Sequence, residues 1–135
     1  RVRMIVASFL IKDIRIDWRS GEQYFMRHLL DADVAANNGN WQWCASTGTD
    51  SMPGYRIFNP ALQSKKFDQD GTYIRHYVTE LTRVSAKWIH EPHLMTADEQ
   101  ERAGCRIGID YPSPVVDHQL ARQEYLNLGK QEATR

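Results

Sequence analysis

Thirteen residues constrain this chain more than any others: Asp31-Ala32-Asp33-Val34-Ala35-Ala36-Asn37-Asn38-Gly39-Asn40-Trp41-Gln42-Trp43. Two acids, four amides and two tryptophans lie together, and a Gly/Ser/Thr-rich run, residues 44–50, follows them. Buried amides and carboxylates must be hydrogen-bonded, so a segment this polar beside so much aromatic surface needs designated partners. Asp33, Asn37 and Trp41 are four apart and form one ridge of a helix over residues 33–43. Asn37-Asn38-Gly39-Asn40 is poor helix-forming chemistry, so tertiary packing has to hold it. Trp43 lies about 200° round the axis from Trp41, and the two indoles face different neighbours. Val34, Ala35 and Ala36 are small enough to let a flat partner or another helix approach.

The remaining sequence bounds the architecture. A chain of 135 residues makes one domain with a core, and 41% hydrophobic and 25% charged residues are ordinary globular values. The 17 basic and 17 acidic residues cancel, so global charge points to no nucleic-acid or membrane partner, while a local basic patch stays open. Cys44 and Cys105 belong to no Cys/His set with metal-ligand spacing, which argues against zinc and suits a reducing compartment. No apolar run reaches membrane-spanning length and no signal peptide is visible. The first residue is Arg1, not methionine, which fits processing or a chain cut from something longer.

Taken in order, the pattern is all-α with long irregular loops. Residues 1–14 are apolar nearly all round and predict a helix buried on most sides, in which Arg3 either has a buried partner or lies at a solvated end. Ser20-Gly21-Glu22-Gln23 reads as a capping box opening a helix over residues 20–30. Asp31 and Asp33 end that helix and cap the next. Residues 45–60 form a long loop carrying Arg56, followed by a short helical turn with Gln63, Lys65 and Lys66. One or two short helices fall within 68–84. Thr96-Ala97-Asp98-Glu99 is a second capping box, with Gly104 ending its helix. Residues 107–116 predict extended surface chain, and 117–130 a final amphipathic helix.

The residues leave two readings open at each candidate site. Asp33, Asn37 and Trp41 fit the edge of a flat, polar-rimmed cofactor such as an isoalloxazine, and equally fit helix caps and core. Trp18 and Trp41 fit either packing or an electron relay to a buried acceptor. Arg1, Arg56, Lys65 and Lys66 are either solvated charges or phosphate contacts. Trp43 with Met4 is either core or a clamp on an extruded base. His28, His76, His90, His93 and His118 are scattered, and read as surface or structural. No Ser/His/Asp arrangement or phosphate-binding loop is visible.

The segments RVRMIVASFLIKD (1–13), IDWRSGEQYF (16–25), LLDADVAANNGNWQWCASTGTD (29–50), YRIFNPALQSKKFD (55–68) and IDYPSPVVDH (109–118) strongly resemble, in order, the C-terminal part of the FAD-binding domain of the DNA photolyase/cryptochrome family. The likeness is greatest to class I bacterial cyclobutane pyrimidine dimer photolyases. It implies a helical cavity holding FAD, from which light drives an electron to a flipped-out pyrimidine dimer. It further implies that Asp31, Ala32 and Asp33 contact the cofactor, that Asn37 sits by the flavin N5, and that Arg3 pairs with Asp31. Trp41 is implied as the flavin-proximal relay member and Trp18 as the middle one. Met4 and Trp43 are implied to line the dimer pocket, with Arg1, Gln63 and Arg56 contacting DNA and Lys65 a lesser contact. Met4, Trp43 and Asn37 match dimer repair; a cryptochrome-like photoreceptor and an inactive remnant are the alternatives.

The same resemblance implies a bacterial cytoplasmic setting, UV-damaged DNA as partner, and an antenna chromophore bound elsewhere in a longer protein. Residues 1–135 then correspond to a partial FAD-binding domain, without the family's antenna domain or the first half of the FAD domain. A chain supplying one wall of the cavity is expected to be inactive alone.

Overall fold

A computed structural model describes residues 1–48 and 56–133, the last five of these by backbone alone. Among the described residues there is helix and no strand, apart from one isolated parallel bridge between Ile107 and Tyr111. The expected all-α class is observed. The predicted loop at 45–60 lies partly outside the described residues. The chain divides into two compact units, residues 1–59 with 116–135, and residues 60–115.

The first unit contains α1 (Val2–Ser8), α2 (Trp18–His28), α3 (Val34–Ala45) and α7 (His118–Ala133). The helix predicted over residues 1–14 changes character halfway. After Ser8 it widens into a π-helical turn, Phe9–Asp13, in which Ile14 N–H reaches back five residues to the Phe9 carbonyl at 3.1 Å. Arg15, in the left-handed region at φ 63°, ends it. Burial on most sides is not what α1 shows: Val2 and Val6 are 46% and 36% exposed, whereas the charged Lys12 and Asp13 are buried. The wider turn directs both charges inward, which an apolarity count along the sequence does not register.

Helix α2 starts two residues earlier than Ser20 suggests. Asp17, not Ser20, is the cap, accepting a bond from the Arg19 amide at 2.8 Å, and the helix ends at His28 as Leu29 turns extended. Asp33 caps α3 as expected, accepting from Ala36 N–H at 2.7 Å. The poor helix formers in α3 bond within it: Asn40 donates to the Ala36 carbonyl at 2.7 Å and Gln42 to Asn38 Oδ1 at 2.5 Å. Helix α3 ends two residues later than expected, with Ser46 left-handed at its C-terminal edge.

The core of this unit is Ala7, Trp41 and Cys44, with Leu10, Ile11, Trp18, Phe25 and Trp43 packed around it. Gly21 makes the crossing of α2 and α3 possible. A Cβ there would stand 2.2 Å from the Trp41 ring, far inside contact distance, so only glycine lets the α2 backbone lie against the indole.

The second unit contains α4 (Pro60–Phe67), α5 (Thr72–Tyr77), two 3₁₀ turns (Thr79–Leu81 and Pro92–Leu94) and α6 (Ala97–Ala103). Its core is Leu81, Val84, Ile89, Met95, Ala103 and Cys105. The Thr96/Glu99 capping box forms, and Gly104 closes α6 in the left-handed conformation. The stretch expected to be extended from 107 opens instead with a turn, because Asp110 accepts from the Arg106 amide at 2.9 Å and its guanidinium at 3.0 Å. Burial pushes the Asp68 carboxyl up, but amide bonds from Tyr73, Ile74 and Thr72 outweigh it and hold the group below its ordinary value. The histidines do structural work where they are bonded: His90 meets Ser64 Oγ at 2.7 Å and donates to the Gln69 carbonyl at 3.1 Å.

Two glycine substitutions separate packing from propensity. Gly21→Ala should destabilise the chain by about 1–3 kcal/mol through overpacking against Trp41. Gly39→Ala, at an exposed α3 position where a Cβ meets nothing within 4 Å, should stabilise it by roughly 0.8–1.0 kcal/mol. Urea denaturation midpoints measure both, and equal shifts in the same direction would contradict the Trp41 contact.

Candidate flavin-binding site

A cavity of about 240 Å³ lies between α1, α2 and α3 in the first unit. Apolar and small side chains, Met4, Ala7, Phe25, Leu29, Ala32 and Ala36, give it flat walls. Arg1, Arg3, Asp31, Asp33, Asn37 and Asn40 supply its polar positions, and Trp41 and Cys44 its floor. A cavity of this kind, mostly apolar with a few convergent polar groups, is the usual form of a small-molecule site, although roughly 300–1,000 Å³ is more typical of a complete one.

The polar groups are fixed by the chain itself. Arg3 on α1 donates to both oxygens of Asp31, at 2.8 and 3.1 Å, although both side chains are exposed. Neither alternative for Arg3 holds unmodified: it is solvated and also paired. The bond from Arg3 holds the Asp31 carboxyl below its ordinary value and raises the guanidinium. Asp31 therefore stays ionised at neutral pH, and the cavity rim carries a fixed cation–anion pair. Asp33 caps α3 through Oδ1 and also lines the cavity.

Asn37 donates its amide to the Glu22 carbonyl at 2.9 Å and to Glu22 Oε1 at 3.2 Å. With both acceptors on α2, the Asn37 NH₂ is committed, and Oδ1 is the side-chain group left to accept a bond. Glu22 is the residue sequence reasoning missed. It fell inside a capping-box pattern, and only the crossing of α2 over α3 brings it to Asn37.

The other expected site residues divide among several places. Trp41 is almost wholly buried, lines the cavity and meets Phe25 edge-on at 5.0 Å. Trp18 does not line it. Trp18 packs against the cluster containing Trp41 from behind and also borders a shallow outer groove, with the Arg19 guanidinium 4.9 Å from its ring. Met4 and Trp43 are not in one cavity: Met4 lines the large one, whereas Trp43 borders a cleft of about 10 Å³ with Arg56, Lys12, Ser8 and Phe58. The Arg56 guanidinium lies 5.3 Å from the Trp43 ring, and Arg1 lies 6.0 Å from Phe58. Gln63 belongs to the second unit and has a buried Oε1 without a hydrogen-bond partner among the described residues. Lys65 is engaged by Glu91. Among the described residues no group of three or more His, Cys, Asp and Glu side chains could hold a metal.

Residues 1–131 match the family described as the FAD binding domain of DNA photolyase. The chain belongs to that family. It is 55% identical over 130 residues to a deoxyribodipyrimidine photo-lyase of Alkalihalophilus pseudofirmus, covering 96% of this chain and 27% of that protein. A class III photolyase from Agrobacterium tumefaciens superposes with a TM-score of 0.93 at 50% identity, covering all of this chain and 28% of that one. A cryptochrome of Synechocystis superposes with a TM-score of 0.87 at 41% identity, covering 93% of this chain and 26% of that one. The chain therefore spans about a quarter of the length of the relatives it matches.

Because its value in the fold is lowered, Asp31 contributes stability above the ordinary carboxylate range that fades as pH falls through that lowered value. In Arg3→Gln the Asp31 carboxyl should titrate closer to its ordinary value, read from its side-chain carbon-13 shift. An unchanged titration would show that Arg3 does not hold it.

Proposed function

We propose that this chain forms the flavin-facing and lesion-facing wall of a deoxyribodipyrimidine photolyase acting on UV-damaged DNA. The carrying observation is the cavity, in which flat apolar walls, a fixed Arg3–Asp31 pair and the Asn37 acceptor converge beside the buried Trp41. These residues fit FAD: small side chains admit a flat ring, and the rim offers donors and acceptors to its polar edge. When bound, FAD supplies the light-driven electron that splits a cyclobutane dimer. Arg3, Asp31, Ala32 and Asp33 bind and orient it, Asn37 presents a fixed carbonyl, and Trp41 excludes water from the floor. Trp41 and Trp18 form the path by which an electron reaches the cavity from the surface.

Arg1, Arg56 and Gln63 are the DNA contacts in this reading, and Met4 and Trp43 the apolar surfaces for the extruded bases. Arg56 is supported by its exposure. Met4, Asn37 and Trp43 together favour dimer repair of the class I type over photoreception. Two buried free thiols suit a bacterial cytoplasm. In this reading the antenna chromophore's site and the remaining walls of the flavin site belong to parts of a longer protein outside residues 1–135.

Three measurements test the reading. The 135-residue chain by itself should bind FAD more weakly than micromolar, since its cavity is smaller than a complete ligand site; stoichiometric submicromolar titration would refute the single-wall assignment. The flavin-loaded protein carrying this sequence should split dimers in an oligonucleotide under blue light, and Trp41→Phe should remove most of its flavin photoreduction while sparing FAD binding. Intact photoreduction without splitting would assign the pocket to photoreception. Removing Arg1 should lower the slope of DNA affinity against salt by about one unit.

A further inference from the structure

The π-helical turn Phe9–Asp13 buries two adjacent charges and sends them in different directions. Lys12 is 2% exposed and donates to the Arg56 carbonyl at 2.7 Å and to Ser46 Oγ at 3.4 Å. Its ammonium also lies 5.7 Å from the Tyr125 ring on α7. Asp13, fully enclosed, pairs through Oδ1 with His118 Nδ1 at the start of α7, while its Oδ2 has no partner among the described residues. Arg15, just beyond, pairs with Glu124 of the same helix. Burial pushes the Cys44 thiol up, and the Lys12 charge partly opposes this, which places that charge beside the α3 core as well.

We propose that Lys12 is a positioning residue for Arg56: its buried ammonium fixes the Arg56 backbone, so that the guanidinium stays stacked on Trp43 and aimed outward at a DNA phosphate. The inference rests on the reading of Arg56 as a phosphate contact. Arg56 and Phe58 belong to a segment with no helix or strand of its own, and bonds to the π turn and to α1 help hold it. One is Lys12 Nζ to the Arg56 carbonyl; another is the Phe58 amide to Ser8 Oγ at 3.4 Å. A buried ammonium must use its donors, so this contact has strong geometric preference. Helix α7, through His118 and Tyr125, holds the turn from its other side and keeps Lys12 from withdrawing. A charge at position 12 acting directly on DNA is excluded by its burial beneath Trp43 and Arg56.

A double-mutant cycle on the flavin-loaded protein tests this, with a dimer-containing duplex as ligand. Arg56→Ala should lower the salt slope by about one unit. Lys12→Met should weaken binding about five- to tenfold in the Arg56 protein and have no effect in the Arg56→Ala background. Equal losses in both backgrounds would overturn the proposal, because Lys12 would then act independently of Arg56. An unchanged slope in Arg56→Ala would remove Arg56 from the phosphate contacts without touching the structural half. That half is read by hydrogen exchange on the chain alone. Lys12→Met should accelerate exchange of the Phe58 amide while the α2 amides and the urea m-value stay unchanged, which also shows that the variant folds. Unaltered Phe58 exchange would overturn the proposal whatever the DNA result.

Discussion

The first unit depends on one contact, the Trp41 indole against the bare backbone of Gly21. It sets the distance between α2 and α3, and that distance decides everything on either side. On one side it closes the floor of the cavity. On the other it lets Trp18 reach the same cluster from the outer groove. The contact also brings the Glu22 carbonyl and carboxylate within hydrogen-bond reach of Asn37. A residue with any side chain at position 21 would push the helices apart and undo all three relations together.

The π-helical turn is the second constraint, of a different kind. Burying an ammonium and a carboxylate costs roughly several kcal/mol each unless their bonds are satisfied. Lys12 and Asp13 offset part of that cost by linking elements far apart in the chain, the segment at Arg56, the end of α3 at Ser46 and the start of α7 at His118, while Asp13 Oδ2 has no partner among the described residues. The C-terminal helix is thereby joined to the segment bearing the candidate DNA contact. The exposed valines of α1 show that this unit is not organised by apolar burial alone.

The family resemblance made the cavity legible in outline. Arg3 with Asp31, Asn37 and Trp41 do converge, and Asp33 caps α3 while lining the same space. Several features had no signal in spacing. Glu22 looked like part of a cap, because a capping-box pattern is local and its alternative role depends on a helix fifteen residues away. Asp17 displaced Ser20 as the cap of α2 since a carboxylate accepts the free amide one turn earlier. Met4 and Trp43, paired in expectation, line separate spaces. His118 read as one of five scattered histidines, and only the return of α7 gave it Asp13 as a partner.

By itself the sequence determined the all-α class, the Asp33 cap of α3, the Thr96 capping box and the different neighbours of Trp41 and Trp43, because each follows from residue type at short spacing; the acids at 31 and 33 do not end α2, which stops at His28. The tertiary structure decided which polar groups stay available to a ligand. Arg3 could have been buried, frayed or paired. Asn37 could have pointed either its amide or its carbonyl at the cavity. Lys12 could have been a solvated surface charge. Those outcomes turn on helix crossings and a widened turn, which depend on contacts between residues as far as 105 and 109 positions apart and so leave no local pattern to read.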